Sequence, residues 1–187
     1  MVKKTTARNC GITFLAAACA GVCMLLFFLV GCASGAHVSG MSETDNSTSY
    51  ELVNEGKLTI VSALDSPPFE TITDKQASGF SVELADLLAE EMGLEPEYLS
   101  PVAHDALIPT IAADKKADVA ISSIVITPEV LKEVDLSDPY FEAKTTGEQF
   151  AIAVNKNNPK LTDSLNSALK SVKSNGKYDE LYEKWFA

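Results

Sequence analysis

The chain's cysteines are its most reactive side chains, and their positions limit what they can do. Cys10, Cys19, Cys23 and Cys32 all fall within the first 32 of 187 residues. Beyond Cys32 there is no thiol, so the rest of the chain can form neither a disulfide nor a thiolate metal site. The next candidates are hydroxyls: Ser122, Ser123 and Thr127 lie close together in sequence. A serine nucleophile needs a base, and the histidines are His37 and His104. His37 lies in a polar spacer and reads as solvated. His104 adjoins Asp105, and adjacent residues on a helix do not face each other as a catalytic triad requires. Glu90-Glu91 reads as solvated helix surface. No glycine-rich phosphate loop and no spaced His/Cys/Asp metal cluster is present. The expectation is a non-enzyme that needs no cofactor and no metal. Without a base, its hydroxyl cluster reads as strand-end turn and helix-cap residues.

Those hydroxyls must be positioned by a folded body, and the hydrophobic pattern supplies one. Leu58 to Ala63 is a β-rich run stopped at Asp65-Ser66-Pro67-Pro68, where two prolines remove donors and fix φ. Thr71 to Ser78 reads as a turn or hairpin. From Ser81 a helical period places Val82, Ala85, Leu88 and Met92 on one side, widened by Leu84 and Leu87, with Gly93 at the C-terminal cap. Glu95 to Leu99 reads as a strand and His104 to Ala113 as a helix disturbed by Pro109. Ala117 to Ser122 is apolar enough for the middle of a parallel sheet. Thr127-Pro128 predicts an N-cap with proline at N1 and a helix running to about Glu133. Gln149 to Val154 is a further strand. Asn158-Pro159 opens a long helix that buries Leu161, Leu165, Ala168, Leu169 and Val172. After Asn175-Gly176, a last helix carries Tyr178, Leu181, Tyr182 and Trp185, either as a stripe that docks the C-terminus or as a binding patch. Alternating strands and helices of this kind predict an α/β fold, a single lobe whose mostly parallel sheet has helices on both faces.

The first 32 residues differ from the rest. Lys3, Lys4 and Arg8 precede an almost uncharged apolar run from Gly11 to Val30, and Leu29-Val30-Gly31-Cys32 resembles the lipobox of bacterial lipoproteins. A long apolar run is also compatible with a transmembrane helix, but the resemblance implies a signal peptide over 1–31, cleaved before a lipidated Cys32. The predicted location is extracytoplasmic, lipid-anchored to the cell membrane. Residues 32–55 form a small, polar linker with too little apolar area to order itself, and the body spans 56–187. Three of the 15 basic side chains and none of the 26 acidic ones lie in 1–32, which leaves a net charge of −14 on the remainder. Such a surface repels nucleic acid, so no nucleic-acid partner is expected.

Asp65-Ser-Pro-Pro-Phe-Glu70, Gly79-Phe-Ser-Val-Glu-Leu-Ala85, Asp105-Ala-Leu-Ile-Pro109, Ala117-Asp-Val-Ala-Ile-Ser122, Ile126-Thr-Pro-Glu129 and Leu136-Ser-Asp-Pro-Tyr-Phe141 occur in that order. Together with Phe150 to Phe186 they resemble the extracellular solute-binding proteins of polar amino-acid ABC transporters. The resemblance implies two lobes that clamp an amino acid, the second inserted after the segment matching Asp138 to Phe141. Only residues 142–149 fill that gap here, and a crossover unit alone needs about 30 residues, so the second lobe is expected to be absent. The resemblance also implies ligand contacts at Phe69, Ser122, Ser123, Val125, Thr127 and Val130. The family's carboxylate-binding arginine matches Val130, and a usual hydroxyl matches Val125, so two donors are lost. The implied partners are a polar amino acid or similar solute, bound weakly or not at all, and the membrane permease of an ABC transporter. The alternative reading is a non-transporting single-lobe interaction module, with Phe69, Val125 and Val130 forming an exposed patch, or a degenerate binding protein.

Overall fold

The structure is a computed structural model that describes residues 50–114 and 116–187. The expected signal peptide, Cys32, His37 and the expected linker up to residue 49 lie outside the described residues.

Parallel pairing starts at β1 (Lys57–Val61), which lies between β4 (Glu95–Tyr98) and β5 (Val119–Val125). On the far side of β5, β8 (Gln149–Val154) runs antiparallel to it. The short strands β6 (Asp135–Leu136) and β7 (Phe141–Glu142) both pair antiparallel with β8. Along the main path of this six-stranded sheet the order is β4-β1-β5-β8-β6. Five of its strands therefore share one direction and β8 is reversed. The reversal follows from the loop before it. Strands joined by a short turn can pair only antiparallel, because a parallel return needs a long crossover. Residues 143–148 form that turn, closed by Ala143 N–H to Glu148 O (2.8 Å) and Gly147 N–H to Ala143 O (2.7 Å).

The predicted hairpin is present as β2 (Thr71–Thr73) paired with β3 (Gln76–Ser78). Helix α1 (Phe80–Glu91) ends as its glycine foretells. Gly93 takes φ +71°, while Leu94 N–H reaches Ala89 O (2.8 Å) and Gly93 N–H reaches Glu90 O (3.0 Å), so two end carbonyls are satisfied. The segment 104–114 is the departure. It runs as a 3₁₀ turn (His104–Ala106), one α turn, α2 (Leu107–Pro109), and a wide π turn (Thr110–Asp114). Pro109 has no N–H for a regular α ladder, and the Thr110 hydroxyl bonds the Ala106 carbonyl (2.7 Å).

Helices cover both faces. On one, Leu58 and Ile60 of β1, Val119 and Ile121 of β5, and Ile152 and Val154 of β8 meet α1 and α4 (Pro159–Ser174). The residues of α4 that are buried are Leu161, Leu165, Ala168, Leu169 and Val172, the face expected from spacing. On the other, Val61, Ala120 and Ala153 pack with Leu107, Ile111 and Val134. Strict alternation along each strand thus feeds two cores from one sheet. Helix α5 (Lys177–Phe186) closes the first of them. Tyr178 Oη donates to the Tyr140 carbonyl (2.5 Å), and Lys184 pairs with Glu83 (2.6 Å). Its aromatics are docked core, as the stripe reading required, with Leu181 buried.

The end of the expected linker departs from the sequence reading, since residues 50–55 are held against the body. The buried Asp118 carboxylate accepts the amides of Thr59 and Val53, both at 2.8 Å, and Leu52 packs on the first core. Asn158, at the start of α4, makes no side-chain cap and instead bonds the Glu51 carbonyl (2.7 Å). No helix of the described residues is long and apolar enough to cross a membrane.

Candidate functional site

The chain leaves β1, returns through α1 to β4 on one side, and then crosses to β5 on the other. At such a switch point the loops after neighbouring strands diverge and leave a crevice beyond their C-terminal ends. Two non-glycine residues with positive φ lie at this end of the sheet: Leu64 (φ +55°), beyond β1, and Ser123 (φ +49°), in β5. At Ser123 the ladder to β8 shifts register between Ala120 and Ile124. β5 therefore carries a bulge and continues to Val125 rather than stopping at Ser122.

Ser122 and Ser123 are brought together by a residue to which no site role was assigned. Glu70, with no solvent exposure, lies beneath both. Ser122 Oγ donates to Glu70 Oε1 (3.1 Å) and accepts the Ala63 amide (3.2 Å). Ser123 Oγ donates to the same carboxylate at 3.2 Å and 3.4 Å. Ser123 N–H donates to Tyr140 Oη (3.2 Å), which shares a hydrogen bond of 3.1 Å with Ser81 Oγ. Burial pushes the Glu70 carboxyl up to about 7, against the hydroxyls of Ser122, Ser81 and Ser123, which favour its charge, and with a small push from Asp65. Tyr140, buried beside the same carboxylate, is raised above the ordinary phenol range. A carboxylate attracts such attention only when folding buries it. In sequence, Glu70 is one acid among 26 acidic residues, and its one signal is the company of Pro67-Pro68-Phe69 and a distant Ser-Ser pair.

The other expected residues divide. Thr127 is the N-cap of α3 (Pro128–Glu133), its hydroxyl accepting the Val130 amide (3.2 Å). Thr127→Ala should lower stability by about 1 kcal/mol in urea unfolding. Val125 lies opposite Phe150 in the β5–β8 ladder. Phe69 is inside an aromatic cluster, with ring centroids 4.8 Å from Phe141 and 5.3 Å from both Phe150 and Phe186. Val130 is half-buried and packs against the opposite core, whereas Phe69 packs against the first. Beside Val130, Leu131 is 47 % exposed.

Two clefts open elsewhere among the described residues. One of about 190 Å³ lies among Glu51, Val53, Asp118 and Asn155, and another is bordered by Asp138, Asn166 and Lys173. Neither touches the serine cluster. Among the described residues no group of three His, Cys, Asp or Glu side chains is placed to hold a metal ion.

Comparison with known proteins bears on this geometry. The profile described as bacterial extracellular solute-binding proteins, family 3, matches residues 58–187. The arginine-binding extracellular protein ArtP of Bacillus subtilis (strain 168) is 34 % identical over 119 residues, 64 % of this chain and 44 % of its own length. The L-cystine-binding protein TcyJ of Escherichia coli (strain K12) is 32 % identical over 116 residues, 60 % and 43 % of the two chains. The chain thus spans less than half the length of these curated relatives. Among solved structures, the arginine-bound form of domain 1 from TmArgBP superposes with a TM-score of 0.58 at 39 % identity, covering 62 % of this chain and 93 % of that one.

Proposed function

The chain belongs to the bacterial extracellular solute-binding proteins, family 3, and from that premise we propose that it is a single-lobe member, tethered by lipid at Cys32, that presents a polar amino acid to a membrane permease of the ABC type. The observation that carries this reading is the closed β7–β8 hairpin. Its turn of residues 143–148 joins strands already paired at Phe141–Phe150 and Glu142–Gln149, in the gap where the sequence resemblance puts the second lobe. A turn of that length leaves no room for a second α/β lobe. The likeness to a lone domain 1 in an arginine-bound form supports the idea that one lobe can hold ligand by itself.

On this reading the half-site lies beyond the C-terminal ends of β1 and β5, with the half-buried Ser123 and the capped start of α3 as its polar wall and Ser122 buried beneath it. Val125 and Val130 add no donors, and one lobe leaves much of a small ligand in water. Affinity is therefore expected to be weak. Isothermal titration against the twenty amino acids should give a Kd of about 1 mM or weaker. Micromolar binding to any of them would overturn this expectation. Val130→Arg should tighten binding about tenfold by restoring a bidentate carboxylate contact. No gain in that variant would count against Val130 as a ligand position. A protein-contact role is favoured by one observation, the exposed Leu131 beside Val130. Under that reading Leu131→Asp should abolish self-association or capture by the permease and leave ligand titrations unchanged.

A further inference from the structure

Ser122 and Ser123 each have one hydroxyl proton, and both protons are directed at Glu70. The arrangement suits an ionised carboxylate, which accepts and cannot donate. Protonation changes the donors. The new carboxyl proton needs an acceptor, and Ser122 Oγ already receives the Ala63 amide (3.2 Å). Ser123 Oγ has no such amide among its bonds, and Ser123 is only half-buried whereas Ser122 is fully buried. The carboxylic acid can therefore donate to Ser123 Oγ, which frees the Ser123 proton to turn outward, away from Glu70. Asp65 and Tyr140 are the titratable groups that bear on Glu70, with the Ser81 hydroxyl completing its surroundings. None of these is a cation that would hold the carboxylate ionised.

Resting on the reading of this crevice as the ligand half-site, we propose that Glu70 is its positioning residue and that protonation of Glu70 releases the Ser123 hydroxyl to donate to the carboxylate of a bound amino acid. Glu70 touches no ligand itself. It decides whether Ser123 spends its proton inward or outward, supplying a donor at a site where Val130 offers none. The near-neutral titration of this carboxyl places the change within an ordinary environmental range. Binding that needs the protonated form weakens in proportion to the fraction lost.

The test uses the whole protein and L-arginine as probe. Without ligand, the amide resonances of Ser122, Ser123 and Ile124 should titrate with a midpoint near 7. In Glu70→Gln, whose side-chain amide both accepts and donates, they should not move over that range. With L-arginine, affinity should fall about tenfold from pH 6 to pH 8 in the parent chain. It should stay at the pH 6 level throughout in Glu70→Gln. Ser123→Ala, which keeps Glu70, should bind weakly and independently of pH. Amide shifts that titrate identically in Glu70→Gln, or not at all in the parent, would overturn the proposal, as would equal arginine affinity at the two pH values. If arginine binds nowhere while the amides titrate as expected, the half-site reading fails and the proton-driven rearrangement around Glu70 stands.

Discussion

Gly79→Ala should lower the unfolding free energy by more than about 3 kcal/mol and the Tm by about 10 °C. Gly79 precedes α1 with φ +129° and ψ 170°, a conformation that side chains other than glycine's essentially never adopt. Space is closed as well. A Cβ there would lie 2.6 Å from the Phe69 carbonyl carbon and 2.8 Å from Glu70 Cα, and it would meet the Phe69 carbonyl oxygen closer still. Those are backbone atoms of a loop that is itself anchored. Phe80 N–H bonds the Pro68 carbonyl (3.0 Å) and Ser81 N–H bonds that of Phe69 (2.8 Å), so the loop serves as the N-terminal partner of α1. Relief of the clash must therefore pull Phe69 from its ring cluster or Glu70 from its serines. Gly93→Ala is the control. It has φ +71° but nothing within 4 Å of the added carbon, and its cost should stay near 1 kcal/mol. Equal losses in the two variants would show that conformation alone matters and that the loop is not held as described.

How far the sequence predicted this depends on the range of each interaction. The buried face of α4 was legible because five apolar positions at helical spacing can face only one way. The cap at Thr127, the glycine after α1 and the β2–β3 hairpin were legible for the same reason, since each is settled within a few residues. Segment 104–114 was only half legible. Pro109 announced a disturbance but not that a π turn would absorb it. Ser122 and Ser123 were named as candidates from their hydroxyls. Their partner was not, because the interaction joins residues 52 and 53 positions apart. An acid reads as surface until several segments close over it. The same limit applies to Phe69 and Val130, whose packing against opposite cores is decided by the faces of the sheet and not by local sequence.

Three features around Ser122 and Ser123 share one cause. The Ser123 bulge, the loop of residues 66–70 and the start of α1 all converge on Glu70. The loop delivers the carboxylate, α1 presents Ser81, and Tyr140 from the segment between β6 and β7 completes the set. The β7–β8 hairpin follows directly after Tyr140, so the turn of residues 143–148 is tied to this polar cluster. The short turn after Glu142 leaves this cluster supported from within the sheet.

The second large effect is on stability against pH. The Glu70 carboxyl titrates near 7 in the folded chain against 4.5 for an exposed glutamate. Between those values the folded state holds a proton that the unfolded state has released. Stability must therefore fall as pH rises from about 4.5 to about 7, and level off above, by at most about 3 kcal/mol from this one group. The sign is opposite to that of an ion-paired acid, whose contribution is lost on acidification. Glu70→Gln removes the titration while keeping one acceptor and adding a donor for the serines. It should flatten the upper part of the curve and make the protein more stable than the parent at pH 8. Asp86 and Asp118 are also raised by burial, so some slope of the same sign should survive in the variant at lower pH. Thermal melts of both chains from pH 4.5 to 8.5 decide the matter. Parallel curves would place the charge of Glu70 in water in the folded state, and a parent that gains stability toward pH 8 would mean that its serines more than offset the burial.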